Sequence, residues 1–143
     1  MSVIAIQGIE GSFHHEAALR LAGQHSRIQP HPTFAALFDS VARGKAYSGV
    51  AAFQNLVENT VNQVHHLVFK HRADLSIVGW HKLRIDQYLL GHTALNLENV
   101  NSPETTIETH PVAFGQCTDT LESKFPHANR RDTTDTAESV KET

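Results

Sequence analysis

The start of the chain carries the feature that most restricts its fold, a glycine-containing loop between two apolar patterns. Residues 3–6 are typical of a buried strand, and residues 15–22 are typical of a helix that ends at Gly23. In the loop between them, residues 8–13, glycines let the backbone turn tightly and approach a ligand. Ser12 precedes the free N–H groups of the helix. The junction therefore predicts a carboxylate or phosphate site, although a plain strand-to-helix connection has the same pattern.

The alternation of strand and helix continues through the first half of the chain. Residues 26–29 predict a short strand that ends at Pro30. Thr33 is the predicted N-cap of a helix over 34–42, and residues 47–53 predict the next strand. A β-α-β-α-β order favours a parallel sheet with right-handed crossovers. The chain is therefore predicted to have an α/β fold with mostly parallel sheets.

The second half predicts a second small lobe. The first lobe is expected over about residues 1–78 and the second over about 79–143. A further strand should follow the last predicted helix, so the second lobe is expected to be incomplete and the sequence to be the front part of a longer domain. The segments behind this expectation are a helix over 57–71, a hinge strand pair over 75–79 and 81–90, a polar loop over 92–103, a strand over 106–109, a helix over 112–121 and a helix opening at 134.

Charge and composition argue against several classes of partner. The formal net charge is −3 with histidine neutral and no basic stripe occurs, so a nucleic-acid surface is not indicated. No apolar run approaches the ~20 residues that cross a bilayer, and no signal pattern opens the chain. The single Cys117 excludes an internal disulfide, which makes a reducing cytoplasm the simplest location. We therefore expect neither a nucleic-acid partner nor a membrane partner.

The 11 histidines raise the question of a metal site. His14 and His15 are adjacent, as are His65 and His66, and neighbours on a helix do not share a face. Neither an H-E-x-x-H motif nor a Cys-His ligand set occurs. The spacing therefore predicts no metal site, with the histidines on surfaces and loops.

Six stretches, taken in order, resemble the prephenate dehydratase family and together cover nearly the whole chain. The stretch over 109–117, T-H-P-V-A-F-G-Q-C, is the most specific of them because it resembles the family's S-H-P-Q-A-L-x-Q-C. The others are residues 8–13 (G-x-x-G-S-F), 33–44 (F-x-x-x-F-x-x-V-x-x-G), 49–53 (G-V-A-A-F), 77–85 (I-V-G followed by L-R-I) and 135–139 (D-T-A-E-S).

The resemblance implies a fold and an activity. The fold is two α/β lobes similar to those of type II periplasmic binding proteins, here with the C-terminal return segment missing. The activity is conversion of prephenate to phenylpyruvate, water and carbon dioxide in phenylalanine biosynthesis, without a metal or organic cofactor. The family's enzymes hold the substrate between the lobes, must bind two carboxylates and must help hydroxide leave. The family also makes a homodimer the default expectation.

The resemblance also assigns site residues. For His110 the alternative to contact with the substrate is a purely structural role at the junction of strand and helix. For Thr136 the alternative is an ordinary N-cap. The catalytic candidates are Glu58, Asn59 and Gln116, and the substrate-binding candidates are Ser12, Phe13, Thr60, His110, Thr136 and Ala137.

Three departures separate the sequence from the family pattern. The family's E-N-S/T motif directly follows its third strand, where this chain has Q-N-L at 54–56. Either Asn55 is the site asparagine or an insertion has displaced the motif to Glu58, Asn59 and Thr60; we favour the latter because the triplet is complete. Trp80 replaces a family glutamate, where the indole either reshapes the cleft or simply packs. The family's Thr-Arg-Phe does not occur in the sequence.

Three hypotheses for function follow. The first is a prephenate dehydratase, whose missing hydroxyl-bearing residue comes from downstream sequence or a partner chain. The second is a module that lost the chemistry but still binds a small carboxylate or aromatic metabolite. Gln54, Trp80 and the absent Thr-Arg-Phe favour this second hypothesis, whereas the ordered motifs favour the first. The third is an unrelated small α/β regulator. The sequence does not separate prephenate from its aminated relative arogenate.

Overall fold

The computed structural model describes residues 2–55, 59–92 and 96–133, with the backbone alone at Asn59 and Thr60. It divides the chain into two compact units, Met1–Ile85 and Asp86–Thr143. Three of the predicted site residues, Glu58, Thr136 and Ala137, lie outside the described residues.

The first unit contains a three-stranded parallel sheet in the order β2-β1-β3. In the register, Ile4 on the central strand lies opposite Ile28 on one side and Ser48 on the other. The order confirms the predicted α/β fold with parallel pairing. The elements are β1 (Val3–Gln7), α1 (Phe13–Ala22), β2 (Arg27–His31), α2 (Phe34–Ala42) and β3 (Ser48–Val50).

The central strand β1 builds two cores because its side chains alternate between the faces of the sheet. Ile4 and Ile6 pack with Ala18 of α1 on one face. Ala5, between them in sequence, joins a cluster with Leu37 of α2 on the other face. Helices therefore cover both faces, which explains why β1 is a continuous apolar run and not an alternating one.

Gly49 in β3 lies so close to α2 that a side chain does not fit. A Cβ built there would lie 2.7 Å from Leu37 Cδ2 and 3.1 Å from Val41 Cγ2. Leu37 is itself buried and cannot withdraw freely. We therefore expect Gly49→Ala to lower the free energy of unfolding by about 1–3 kcal/mol in urea titrations. Gly79→Ala is the control because its Cβ would meet nothing within 4 Å; equal losses in both variants would contradict the packing.

The strand β2 runs through Pro30, so the prediction that it stops there is wrong. The strand spans Arg27–His31 and lies at the edge of the sheet, where β1 is its one partner among the described strands. An edge strand tolerates proline because one side of its backbone has no neighbouring strand, so the missing N–H of proline costs no hydrogen bond there.

A short antiparallel hairpin occupies the beginning of the predicted helix over 57–71. Its strands are β4 (Gln54–Asn55) and β5 (Asn59–Thr60), and the helix α3 (Asn62–Lys70) follows them. Because the backbone groups of β5 pair with β4, the helix can begin only after Thr60. The apolar face of the predicted helix is retained in α3, where Val64 and Leu67 are buried.

The predicted strand pair over 75–79 and 81–90 is wrong, since residues 75–92 form neither helix nor strand. A strand needs a hydrogen-bonding neighbour, and none of the described strands pairs with this segment. Trp80 is 83 % exposed, so interior packing does not account for it.

The second unit contains a β-α-β arrangement with two parallel strands. The strand over Thr106–Thr109 and a helix over 112–121 were predicted, and the structure confirms both, extending the helix at each end. The predicted loop over 92–103 contains one helical turn, which buries Val100. The elements are α4 (Leu97–Val100), β6 (Thr106–Thr109), α5 (Pro111–Lys124) and β7 (Asn129–Asp132), around a core of Val100, Ile107, Leu121, Phe125 and Ala128.

Candidate functional site

Ser12 is the N-cap of α1 and is almost fully buried. Its backbone is extended, and its Oγ accepts a hydrogen bond of 3.3 Å from the backbone N–H of His15. Gly8 and Gly11 have φ values of 92° and 90°, a conformation that glycine adopts without strain. Gly11 N–H donates to His15 Nδ1 at 2.9 Å, which fixes the loop against the helix. The predicted loop thus forms, with the positive end of α1 behind it.

The loop lies at the topological switch point of the first sheet. The chain leaves the carboxyl end of β1 through α1 to reach β2, and then crosses to the other side of β1 to form β3. Ligands of open α/β sheets bind at the carboxyl ends of the strands where the order reverses in this way. Ser12 and Phe13 follow β1 at this edge.

His14 connects the start of α1 to the chain that follows β3. Its Nε2 accepts a hydrogen bond of 3.1 Å from the backbone N–H of Ala52. In this bond the ring is neutral and its proton is on Nδ1. The ring also meets Phe34 edge-on, with centroids 5.5 Å apart. The sequence interpretation of His14 as a surface residue missed this contact because nothing local in the sequence signals it.

The two alternative asparagines lie opposite each other in the β4–β5 hairpin. Asn55 pairs with Asn59, and Gln54 pairs with Thr60. The hairpin follows Phe53, whose ring stacks on His65 with centroids 3.8 Å apart. Both interpretations of the E-N-T region therefore converge on one short hairpin.

His110 is the N-cap of α5 in the second unit. Its Nδ1 accepts a hydrogen bond of 3.2 Å from the backbone N–H of Val112, and Pro111 occupies the first helical turn. Proline is favoured there because its missing N–H would have no partner within the helix. His110 therefore has the structural role that was its alternative interpretation, since it caps the helix that follows β6.

Gln116 lies on α5 and is hydrogen-bonded through its side chain. Its Oε1 accepts a hydrogen bond of 2.9 Å from Gln87 Nε2. The next residue, Cys117, packs against the core of the second unit, and burial raises the pKa of its thiol. A raised pKa leaves less thiolate at neutral pH, so Cys117 is poorly suited to be a nucleophile.

The second unit also has a polar cleft apart from these residues. Glu98, Glu104 and Thr105 are among the residues that line it. Two carboxylates in one cleft disfavour an anionic ligand, so the cleft is a poor site for a dicarboxylate.

Two kinds of feature do not occur among the described residues. Among them, no group of three or more His, Cys, Asp or Glu side chains is arranged to hold a metal ion. None of the helices described is both long and apolar enough to cross a membrane.

Comparison with known proteins decides the family. A family model described as prephenate dehydratase matches residues 4–143. The chain belongs to the prephenate dehydratase family. This removes the hypothesis of an unrelated regulator. The bifunctional chorismate mutase/prephenate dehydratase of Escherichia coli K12 is 34% identical over 127 residues, which are 87% of this chain and 31% of that protein.

Solved structures match the chain in fold. A structure described as GqqA, a quorum-quenching acylase, matches with a TM-score of 0.70 and 28% identity, over 96% of this chain and 47% of that one. The prephenate dehydratase of Arthrobacter aurescens, in complex with L-Phe, matches in fold with a TM-score of 0.68 and 18% identity, over 96% of this chain and 44% of that one. The chain spans about a third of the E. coli relative and under half of these structures.

Proposed function

We propose that this chain acts as a prephenate dehydratase, converting prephenate to phenylpyruvate in phenylalanine biosynthesis. The observation that carries the proposal is the match of the family model to residues 4–143. The built loop at Ser12 and the hydrogen-bonded Gln116 add support from the described residues. Nothing in the described geometry or in the comparisons favours the module that only binds.

The reaction needs groups that bind anions and donate protons or hydrogen bonds. The bond between the ring carbon and its carboxylate breaks, and its electrons make the ring aromatic as the ring hydroxyl departs. The carboxylate leaves as carbon dioxide, and the hydroxide takes up a proton from a donor in the site or from solvent and leaves as water. Neutral hydroxyls, amides and helix N-termini suit this task because they stabilise developing negative charge without adding a mobile charge.

In the first unit, Ser12 and Phe13 would contact the substrate from the start of α1. Ser12 Oγ already accepts the cap hydrogen bond, so its own O–H is available as a donor to a carboxylate. Asn59 and Thr60 would act from the β4–β5 hairpin. Glu58, outside the described residues, is the third candidate of this motif. Asn55 lies opposite Asn59 there and is the alternative.

In the second unit, Gln116 is the proposed amide donor. It lies on α5, whose N-terminus is capped by His110. His110 would then shape the edge of the site and hold the first turn of the helix. Thr136 and Ala137 would add hydroxyl and N–H groups, as the family resemblance implies.

A matched pair of cap variants tests whether Ser12 contacts substrate. Thr33 caps α2 as Ser12 caps α1, with its Oγ1 3.2 Å from the backbone nitrogen of Ala36. We expect Ser12→Ala and Thr33→Ala each to lower the free energy of unfolding by about 1 kcal/mol. Only Ser12→Ala should also lower kcat/KM for prephenate, by roughly tenfold, since it alone removes a donor from the substrate.

The assay follows phenylpyruvate by its ultraviolet absorbance in alkali, and urea titrations supply the stabilities. If both variants kept the kcat/KM of the unsubstituted chain, Ser12 would be a cap only. If both lost activity equally, stability and not contact with the substrate would explain the loss.

Two further expectations concern location, which rests on the single Cys117, and oligomeric state, which rests on the family. We propose that the protein functions in the cytoplasm and forms a homodimer. Light scattering coupled to size-exclusion chromatography measures the mass directly, and a mass of 15.8 kDa, that of one chain, would contradict the dimer.

A further inference from the structure

The hydrogen bond between Gln87 and Gln116 has a direction that matters for the proposed reaction. Gln87 Nε2 is the donor and Gln116 Oε1 is the acceptor, at 2.9 Å and partly buried, between residues 29 positions apart. Gln87 lies in the irregular segment over 75–92, where both of its neighbours in sequence, Asp86 and Tyr88, are exposed. Gln87 itself is half-buried. The side-chain amide of Gln87 is therefore directed toward α5, while its neighbours in sequence are exposed to solvent.

A glutamine amide offers an acceptor at one end and two donors at the other. Unrestrained, it can present either end to a ligand. In this chain the oxygen of Gln116 is engaged by Gln87, so its NH2 group lies at the opposite end of the amide plane. That end is the one a carboxylate or a departing hydroxyl requires, because both accept hydrogen bonds.

We propose that Gln87 is a positioning residue that holds the amide of Gln116 with its NH2 group toward the substrate. The inference rests on the proposed dehydratase function. Gln87 does not touch the substrate in this account; it acts through Gln116. Without its donor, Gln116 would spend part of its time with the oxygen toward the negatively charged substrate, which is repulsive.

Two substitutions of similar size separate this role from simple packing. Gln87→Met keeps the length of the side chain but removes the donor, and Gln87→Glu keeps the shape but leaves only acceptors at neutral pH. The introduced carboxylate would accept from the NH2 group of Gln116 and so reverse its amide. We expect kcat/KM for prephenate to fall about fivefold in Gln87→Met and roughly 10–100-fold in Gln87→Glu, mainly through kcat.

The pH dependence gives a readout that a structural role would not produce. A protonated carboxylic acid regains an O–H donor, and the usual pKa of glutamate is about 4.3. The deficit of Gln87→Glu relative to the unsubstituted chain should therefore shrink as the pH falls from 7 to 5. The deficit of Gln87→Met should stay constant. Each rate is corrected with a blank without protein, and circular dichroism confirms folding at each pH.

Gln24→Glu serves as the control, because Gln24 is exposed in the turn after α1 and the substitution adds the same charge. If the unsubstituted chain turns over prephenate and both Gln87 variants match Gln24→Glu, the positioning role is wrong. Equal deficits in the two variants, independent of pH, would also overturn it and would indicate packing alone. No turnover by the unsubstituted chain would instead refute the proposed function, and the inference would fall with it.

Discussion

Gln116→Ala is expected to lower kcat/KM for prephenate by about 10²–10³-fold, the loss that follows removal of one preorganised donor from a developing anion. The side chain is half-buried on α5 and already engaged through its oxygen by Gln87. Its NH2 group is the proposed donor, and alanine removes it. Most of the loss should appear in kcat, because a donor to the departing hydroxide acts in the transition state.

Gln24→Ala is the matched control because Gln24 is an exposed glutamine of the first unit. It should retain the kcat/KM of the unsubstituted chain. The free energy of unfolding of Gln116→Ala should change by no more than about 1–2 kcal/mol, the cost of one lost hydrogen bond. A folded Gln116→Ala protein that loses less than about threefold in kcat/KM would remove Gln116 from the reaction.

A core substitution is expected to destabilise the second unit strongly. Leu121→Ala should lower its free energy of unfolding by about 2–5 kcal/mol, through lost transfer energy and the cavity left behind. Leu121 is 6% exposed and packs in a core with Ile107 of β6 and Phe125 at the end of α5. The expected loss is a large fraction of the stability of so small a core.

Hydrogen exchange of the β6 amides is the most direct measurement, because it reports the second unit separately from the first. Protection at Thr106–Thr109 should fall in Leu121→Ala, while protection in β1 should be retained. Val112→Ala, on the same helix but 40% exposed, should change protection little. Equal effects of the two substitutions would show that Leu121 does not anchor this helix.

Elements with strong local patterns were predictable from the sequence. The strand β1 and the helix α2 have apolar spacings that match the observed burial, and Thr33 was identified as the cap that the structure shows. The strand β7 was missed because Asn129–Asp132 are all polar and exposed, so no apolar pattern marks them. The strand is defined by its hydrogen bonds to β6, which the sequence of β7 does not indicate.

Elements whose partners are distant in sequence were predicted poorly. The segment over 75–92 has the apolar content of strands, but none of the described strands forms a ladder with it, and a strand without a ladder does not form. The β4–β5 hairpin was missed for the converse reason. The cross-strand pairing of Asn55 with Asn59 defines it, and the apolar spacing that continues into α3 obscured it.

The candidate site divides in the same way. The position of Ser12 in the loop before α1 was predictable because a strand, a glycine-containing loop and a helix follow one another directly. The role of Gln116 stays a prediction from the family resemblance, and its hydrogen-bonded partner Gln87 was not predicted. A contact between residues 29 positions apart has no local signature, so only the structure reveals it.

The proposed dehydratase activity can be measured directly by incubating the purified 143-residue chain with prephenate at neutral pH and following phenylpyruvate against a blank without protein. We expect turnover above the blank that falls on Gln116→Ala and persists in Gln24→Ala. Phenylpyruvate formation no faster than the blank, from a chain shown to be folded by circular dichroism, would contradict the proposed dehydratase activity.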